Sequence, residues 1–336
     1  MKVGIGTVDG RGRPSEDRSF SQELPGGIHI AGVLDGHSGL ATVVLLTKDL
    51  PIAIAELLKR TNPDDEAAIR SGIRSIFIEQ DKRAARQGAL SYRDSGSTCT
   101  IAIITPKKIY MAYVGDSPAC VFSPVTGEIY GSIGKHDPSS PTERARIERN
   151  GGEVTTEPGD APRVNGCLMV SRAFGDFSLK FKNGNRPTTD EMTEANWATD
   201  FCVISDPEIV VIPRPQNGGI VAIFSDGFVE TPGGDKYKSY PENVRDIMAE
   251  YKSAAGSLEQ CAKACIQKQV ASFTRNPADY SGDDITLVLL ELDRTAVTAP
   301  VISGGGVAGA AQTRKTRIGH RRTRSNKKRI ARSFYI

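Results

Sequence analysis

The chain has 336 residues, 38% hydrophobic and 25% charged, with a net charge of +3, and reads as a soluble globular protein of one large domain or two ordinary ones. No apolar run approaches the roughly 20 residues a membrane span needs, and Met1-Lys2-Val3-Gly4 fits neither a signal peptide nor a myristoylation start. The charge is uneven: residues 313–336 hold ten Lys or Arg and no acid, which leaves 33 basic against 40 acidic residues, a net −7, for the rest.

Val3–Val8 reads as a strand, and Asp9–Ser15 as a turn leading to the acidic pair Glu16-Asp17. After Pro25-Gly26-Gly27 an apolar run from Ile28 to Leu34 predicts a buried strand that stops at Asp35-Gly36-His37. Leu40–Arg60 is helical, bent at Pro51. A second helix opens at Asn62-Pro63, with Asn62 as its cap, and runs to about Gly88 with Ile69, Ile73, Ile76 and Phe77 inward. Thr98–Thr105, Ile109–Gly115 and Ala119–Phe122 read as strands. Ser140-Pro141-Thr142-Glu143 forms a capping box for a helix that stops at Asn150-Gly151-Gly152. Gly166–Phe174 is a further strand region, and 177–203 is polar and irregular. Pro207–Ile212 and Ile220–Phe224 are strands; Tyr240–Lys252 and Ser257–Phe273 are helices, the latter with the capping box Ser257-Leu258-Glu259-Gln260. Ile285–Leu292 is the last strand. Residues 295–312 read as a flexible linker around Gly304-Gly305-Gly306, and 313–336 as a basic, disordered tail.

The six cysteines include no Cys-x-x-Cys and are expected to be small buried hydrophobes in a reducing compartment, Cys261 and Cys265 packing one helical turn apart. The chemistry-bearing pattern is elsewhere. Asp35, Asp116, Asp226 and Asp283 each stand where an apolar strand ends or begins, and Glu16-Asp17 adds a further pair. Carboxylates that converge need a counter-charge, so a shared site for hard divalent cations is the economical account. Only four His residues are present, which argues against zinc or iron.

Glu16-Asp17, Asp35-Gly36-His37, Gly96-Ser97-Thr98, Gly115-Asp116-Ser117, Arg163-Val164-Asn165-Gly166, Ser171-Arg172-Ala173-Phe174-Gly175-Asp176, Ser225-Asp226-Gly227 and Asp283-Asp284-Ile285-Thr286 occur in this order. The ordered set resembles the PP2C (PPM) family of metal-dependent protein serine/threonine phosphatases over about residues 1–292. The resemblance implies an α+β fold over 1–294, a central β-sandwich of two antiparallel sheets flanked by helix pairs (α-β-β-α), with a flap at about 177–203. It implies two Mg²⁺ or Mn²⁺ ions and a weaker third. Asp35 would bridge two of them; Asp226 and Asp283 would complete the first; the Gly36 carbonyl and Glu16 would serve the second, with Asp17 holding a bound water; Asp116 would serve the third. His37 would be the general acid for the leaving alkoxide. The family's phosphate-binding Arg falls at Gly12 here, and Arg13 is taken in its place. Arg172 reads as structural. Three further departures stand out: Ser38 for a Gly, Asp284 for an Asn, and Pro118 for the Arg that usually follows Gly-Asp-Ser.

The expected activity is hydrolysis of phosphoserine and phosphothreonine by metal-activated water. The alternative is a pseudophosphatase, a binding module acting through its surface or its tail. The expected partners are phosphoprotein substrates, and a nuclear import receptor or nucleic acid for the tail. A monomer without membrane attachment, cytoplasmic or nuclear, is expected.

Overall fold

The computed structural model describes residues 1–10, 14–87, 90–180, 196–232, 237–276 and 280–294. All lie in one compact unit, Met1–Ala296. Ten principal strands are, in chain order, β1 (Lys2–Val8), β2 (Arg18–Leu24), β3 (Ile28–Leu34), β4 (Cys99–Ile104), β5 (Lys108–Val114), β6 (Ala119–Phe122), β7 (Ile129–Ser132), β8 (Glu208–Pro213), β9 (Gly219–Phe224) and β10 (Ile285–Leu292). They form two five-stranded antiparallel sheets, ordered β1-β10-β9-β6-β7 and β8-β5-β4-β3-β2. The described helices are α1 (Ala41–Arg60), α2 (Glu66–Gln87), α3 (Pro141–Arg149), α4 (Phe177–Lys180), α5 (Tyr240–Ser253) and α6 (Leu258–Phe273).

Side-chain alternation builds the layers. In β5, Ile109, Met111 and Tyr113 face the opposite sheet, where they meet Val221, Ile223, Val288 and Leu290. Tyr110, Ala112 and Val114 point the other way, onto Val43, Leu46, Leu50 and Ile54 of α1 and Ile73 and Phe77 of α2. The outer face of the other sheet does the same: Ala222, Phe224, Leu287 and Leu289 pack under Val244 and Ile247 of α5 and Cys261 and Cys265 of α6. The inner strands are therefore covered on both faces, which is why they read as unbroken apolar runs. The predicted α-β-β-α sandwich is the observed one. Gly4 and Gly6 let α6 lie directly on β1: a Cβ at Gly4 would run into the Leu258 carbonyl, and one at Gly6 would stand 2.8 Å from that of Ala262.

Several local expectations are corrected. Strand β2 went unpredicted; it is an edge strand with no fully buried residue, so it needs no apolar run. Helix α2 starts at Glu66, because the Asn62 carboxamide accepts the Asp64 N–H and Asp65 Oδ1 caps Ala68 N–H. Helix α1 continues as one element through Pro51. Ser140 makes no side-chain cap, since the Glu143 carboxylate is bonded to Ser171, Arg146 and Arg172 instead. A complete capping box occurs at Ser239 and Glu242, whereas Ser257 caps α6 only through the Gln260 N–H. Gly166–Phe174 holds no long strand; Phe174–Gly175 pairs with Gly96–Ser97, and Leu168 and Arg172 make single bridges to Val164 and Ile204. Cys167 is exposed, while the other five cysteines are buried and unpaired. Of the expected flap, 181–195 lies outside the described residues; Trp197 and Phe201 are buried against Ala84, Ala85 and Phe177. The expected linker and tail, 295–336, lie outside them too. No described helix is long and apolar enough to cross a membrane.

Candidate metal centre

The sheet register brings the strand-end acids to one edge of the sandwich. Thr100 and Cys99 at the start of β4 pair with Val33 and Val114, so Asp35 and Asp116 leave the same end of one sheet. Phe224 pairs with Leu287, which sets Asp226 beside Asp283 in the other. The short polar motifs lock these ends. Asp35 donates its N–H to Thr98 Oγ1 at 3.3 Å and accepts the Thr98 N–H at 2.9 Å. Thr98 Oγ1 lies 2.6 Å from Ser117 Oγ, tying the Asp35 corner to the Asp116 corner. Ser225 Oγ donates to Asp17 Oδ2 at 2.8 Å and accepts the Thr286 N–H at 2.9 Å.

Electrostatics report the crowding. Burial pushes Asp35 well above the ordinary carboxylate range, and Asp17, Asp226, Asp283 and Asp116 each push it further. Asp116 is raised to about 7 by burial and Asp226, against the pull of Lys135 and His37. Asp17 is also raised to about 7, by burial first and then by Asp284 and Asp226, against the hydrogen bond from Ser225. Asp17 Oδ1 is buried with no hydrogen-bond partner. A buried orphan oxygen among mutually repelling acids is what a cation would satisfy, and the all-oxygen donor set fits a hard divalent ion. Asp226, Glu230 and Asp283 present oxygens all within 4.8 Å of one another.

Glu16 and Gly36 are neighbours, since a Cβ on Gly36 would approach the Glu16 carbonyl to 2.6 Å. Glu16 Oε1 accepts the Gly39 N–H at 2.6 Å. His37 Nε2 lies 2.8 Å from Asp176 Oδ1. Burial alone would lower the His37 pKa; Asp176, with help from Asp116, outweighs it and raises it. Asp176 sits at φ +53° after Gly175 at φ +73°, and this tight corner is held from beneath. Asp81 Oδ1 accepts the Gly175 N–H at 2.8 Å, and Lys180 Nζ joins Asp81 Oδ2 at 2.5 Å and the Ala173 carbonyl at 2.8 Å.

The structure thus gathers Asp17, Asp35, Gly36, His37, Asp116, Asp226 and Asp283 at one edge, with Glu16 against Gly36. Arg13, with Arg11 and Gly12, lies outside the described residues. Arg172 holds Glu143 and the Asp206 carbonyl. Asp284 binds backbone: its two oxygens accept the N–H groups of Gly10 at 2.7 Å and Glu16 at 2.8 Å, closing the turn that carries Glu16. Sequence reasoning missed Glu230. Its only signal was the four-residue step from Asp226, realised as a tight turn in which the Glu230 N–H reaches the Asp226 carbonyl. It also missed the buried Asp81–Lys180 pair.

Comparison with known proteins agrees with this geometry. The family model described as protein phosphatase 2C matches residues 2–278. The chain is 32% identical over 257 residues to the probable protein phosphatase 2C 17 of Arabidopsis thaliana, covering 74% of this chain and 83% of that protein. It is 27% identical to protein phosphatase 1L of Bos taurus, covering 77% and 74%, and 29% identical to the human probable protein phosphatase 1N, of which it spans only 44%. Among solved structures, a phosphatase from a pathogenic strain of Toxoplasma gondii superposes with a TM-score of 0.67 at 22% identity, over 87% of this chain and 94% of that one, which shows the shared fold. With the ordered acids and the sandwich that gathers them, this match places the chain in the PP2C family of metal-dependent protein serine/threonine phosphatases.

Proposed function

We propose that the centre hydrolyses phosphoserine and phosphothreonine in proteins with Mg²⁺ or Mn²⁺. Asp35, Asp226 and Asp283 would hold one ion, with the Glu230 carboxylate beside Asp226 and Asp283, Asp35, Glu16 and the Gly36 carbonyl a second, and Asp116 a third. Such ions neutralise a phosphate dianion and lower the pKa of water toward 7. The chain supplies the rest. Asp17 presents its orphan oxygen as an acceptor for an attacking water. His37, kept basic by Asp176, carries the proton needed by a departing serine or threonine alkoxide. Arg13 is the proposed phosphate clamp, because a guanidinium grips two phosphate oxygens at once.

The observation that carries this reading is the meeting of five aspartates from distant parts of the chain beside a His–Asp pair. Nothing in the comparisons supports the pseudophosphatase alternative. The test is turnover of p-nitrophenyl phosphate and a phosphoserine peptide with Mn²⁺, with and without chelator, in wild type and Asp226→Asn. The expectation is chelator-sensitive turnover that Asp226→Asn reduces at least about 100-fold. Turnover that is indifferent to both would refute it.

A further inference from the structure

One departure from the family pattern coincides with a cavity. Pro118 follows Gly115-Asp116-Ser117 where the resemblance calls for Arg, and it lines a cavity of about 240 Å³ shared with Asp116 and Asp226. The remaining wall is Ile133, Gly134, Val229, Tyr237, Tyr240 and Asn243, largely apolar apart from the Asn243 carboxamide, whose oxygen is buried without a partner. Two lysines reach it as well, but both ammonium groups are engaged. Lys135 Nζ is 3.2 Å from Asp137 and lies over the Tyr237 ring. Lys238 Nζ is 2.7 Å from Gln269 and 3.2 Å from Asp246. An acidic guest would have to compete with these partners, whereas an apolar one would bury surface against proline, aliphatic and aromatic groups without displacing any. An Arg at 118 would bring a long cationic chain to this wall; Pro leaves it open.

We propose that the cavity is a substrate subsite that takes one apolar side chain, Leu, Met or Phe, within two residues of the phosphorylated one. The spacing follows from the shared walls: Asp116 and Asp226 belong to both sites, and an extended peptide advances only about 3.3 Å per residue. The inference rests on the phosphatase reading of the adjoining centre.

The test uses phosphoserine peptides in a Gly/Ser background, with one Leu moved from two residues before the phosphoserine to two residues after, and matched Asp peptides. Wild type is expected to favour Leu over Asp or Gly at one register by about tenfold in kcat/KM. Pro118→Arg and, separately, Tyr237→Ser should bring that preference under about twofold, read as a ratio within each variant so that any general loss cancels. Tyr237 is 49% exposed, so its variant decides the matter if Pro118→Arg does not fold. No preferred register in wild type, a preference for Asp, or a Leu preference that survives the folded variants would overturn the subsite. Failure of wild type to turn over p-nitrophenyl phosphate with Mn²⁺ would instead remove the reading beneath it, and the subsite with it.

Discussion

The ion pair between Asp81 and Lys180 gives the sharpest stability prediction. Both side chains are wholly inaccessible, and burial raises the Asp81 pKa even though Lys180, the Gly175 amide and Ser205 all pull it down. The desolvation of the carboxylate therefore exceeds what its partners return, the usual balance for such pairs. Lys180→Met leaves Asp81 buried without a counter-charge and should cost about 3–5 kcal/mol, a fall in Tm of roughly 6–20 °C for a domain of this size. Adding Asp81→Asn removes the stranded charge, and the carboxamide oxygen still accepts the Gly175 N–H. The double variant should return to within about 1–2 kcal/mol of wild type. Urea unfolding monitored by far-UV circular dichroism, with the slope checked for constancy, measures all three. Lys180→Met within about 1 kcal/mol of wild type, or a double variant no more stable than Lys180→Met, would refute the reasoning.

Gly96→Ala should break the proton donor, because a Cβ there runs into His37 Nε2 and the Asp176 carboxylate; the expected kcat loss is about 100-fold or more on a phosphoserine peptide and much smaller on p-nitrophenyl phosphate, whose leaving group needs no proton. Equal losses on both substrates would count against that role. Burial alone would raise Glu143, but Arg172, Arg146 and Ser171 hold it at about 2, below the ordinary 4.5. Its folded pKa is depressed, so its stabilisation is present above pH 4.5 and disappears as pH falls from about 4.5 to about 2. Allowing for solvent screening, this is worth about 2 kcal/mol, and the stability gap between wild type and Glu143→Gln should close across that window. Asp284→Asn leaves one oxygen to serve the Gly10 and Glu16 amides, and should cost about 1–2 kcal/mol in urea unfolding; an unchanged midpoint would show that the turn needs no carboxylate.

The architecture was legible because inner strands covered on both faces are predominantly apolar, as in β3, β4, β9 and β10. Strand β2 was not, because an edge strand with one open side carries no such signature. The acids at 35, 116, 226 and 283 could be read because each interrupts an apolar run. Glu230 lacks that context. The partner of His37 stands 139 residues away, and Asp81 meets Lys180 across 99, so only tertiary packing discloses either pair. Asp284 is the instructive departure: an extra charge beside the centre turns out to be consumed by two backbone amides.

If like charges are held together for the sake of cations, the stability of the protein reports it without any turnover. Unfolding of metal-free wild type and Asp35→Asn, each with and without Mn²⁺, tests it directly. Without metal, Asp35→Asn should be the more stable, because the burial cost of the Asp35 carboxylate and, after it, the repulsion from Asp17, Asp226, Asp283 and Asp116 are both relieved. Mn²⁺ at about 100 times its Kd should stabilise wild type by about 2.7 kcal/mol per site and Asp35→Asn far less. If Asp35→Asn is destabilising without metal and gains as much from Mn²⁺ as wild type does, the carboxylates do not form a shared cation site.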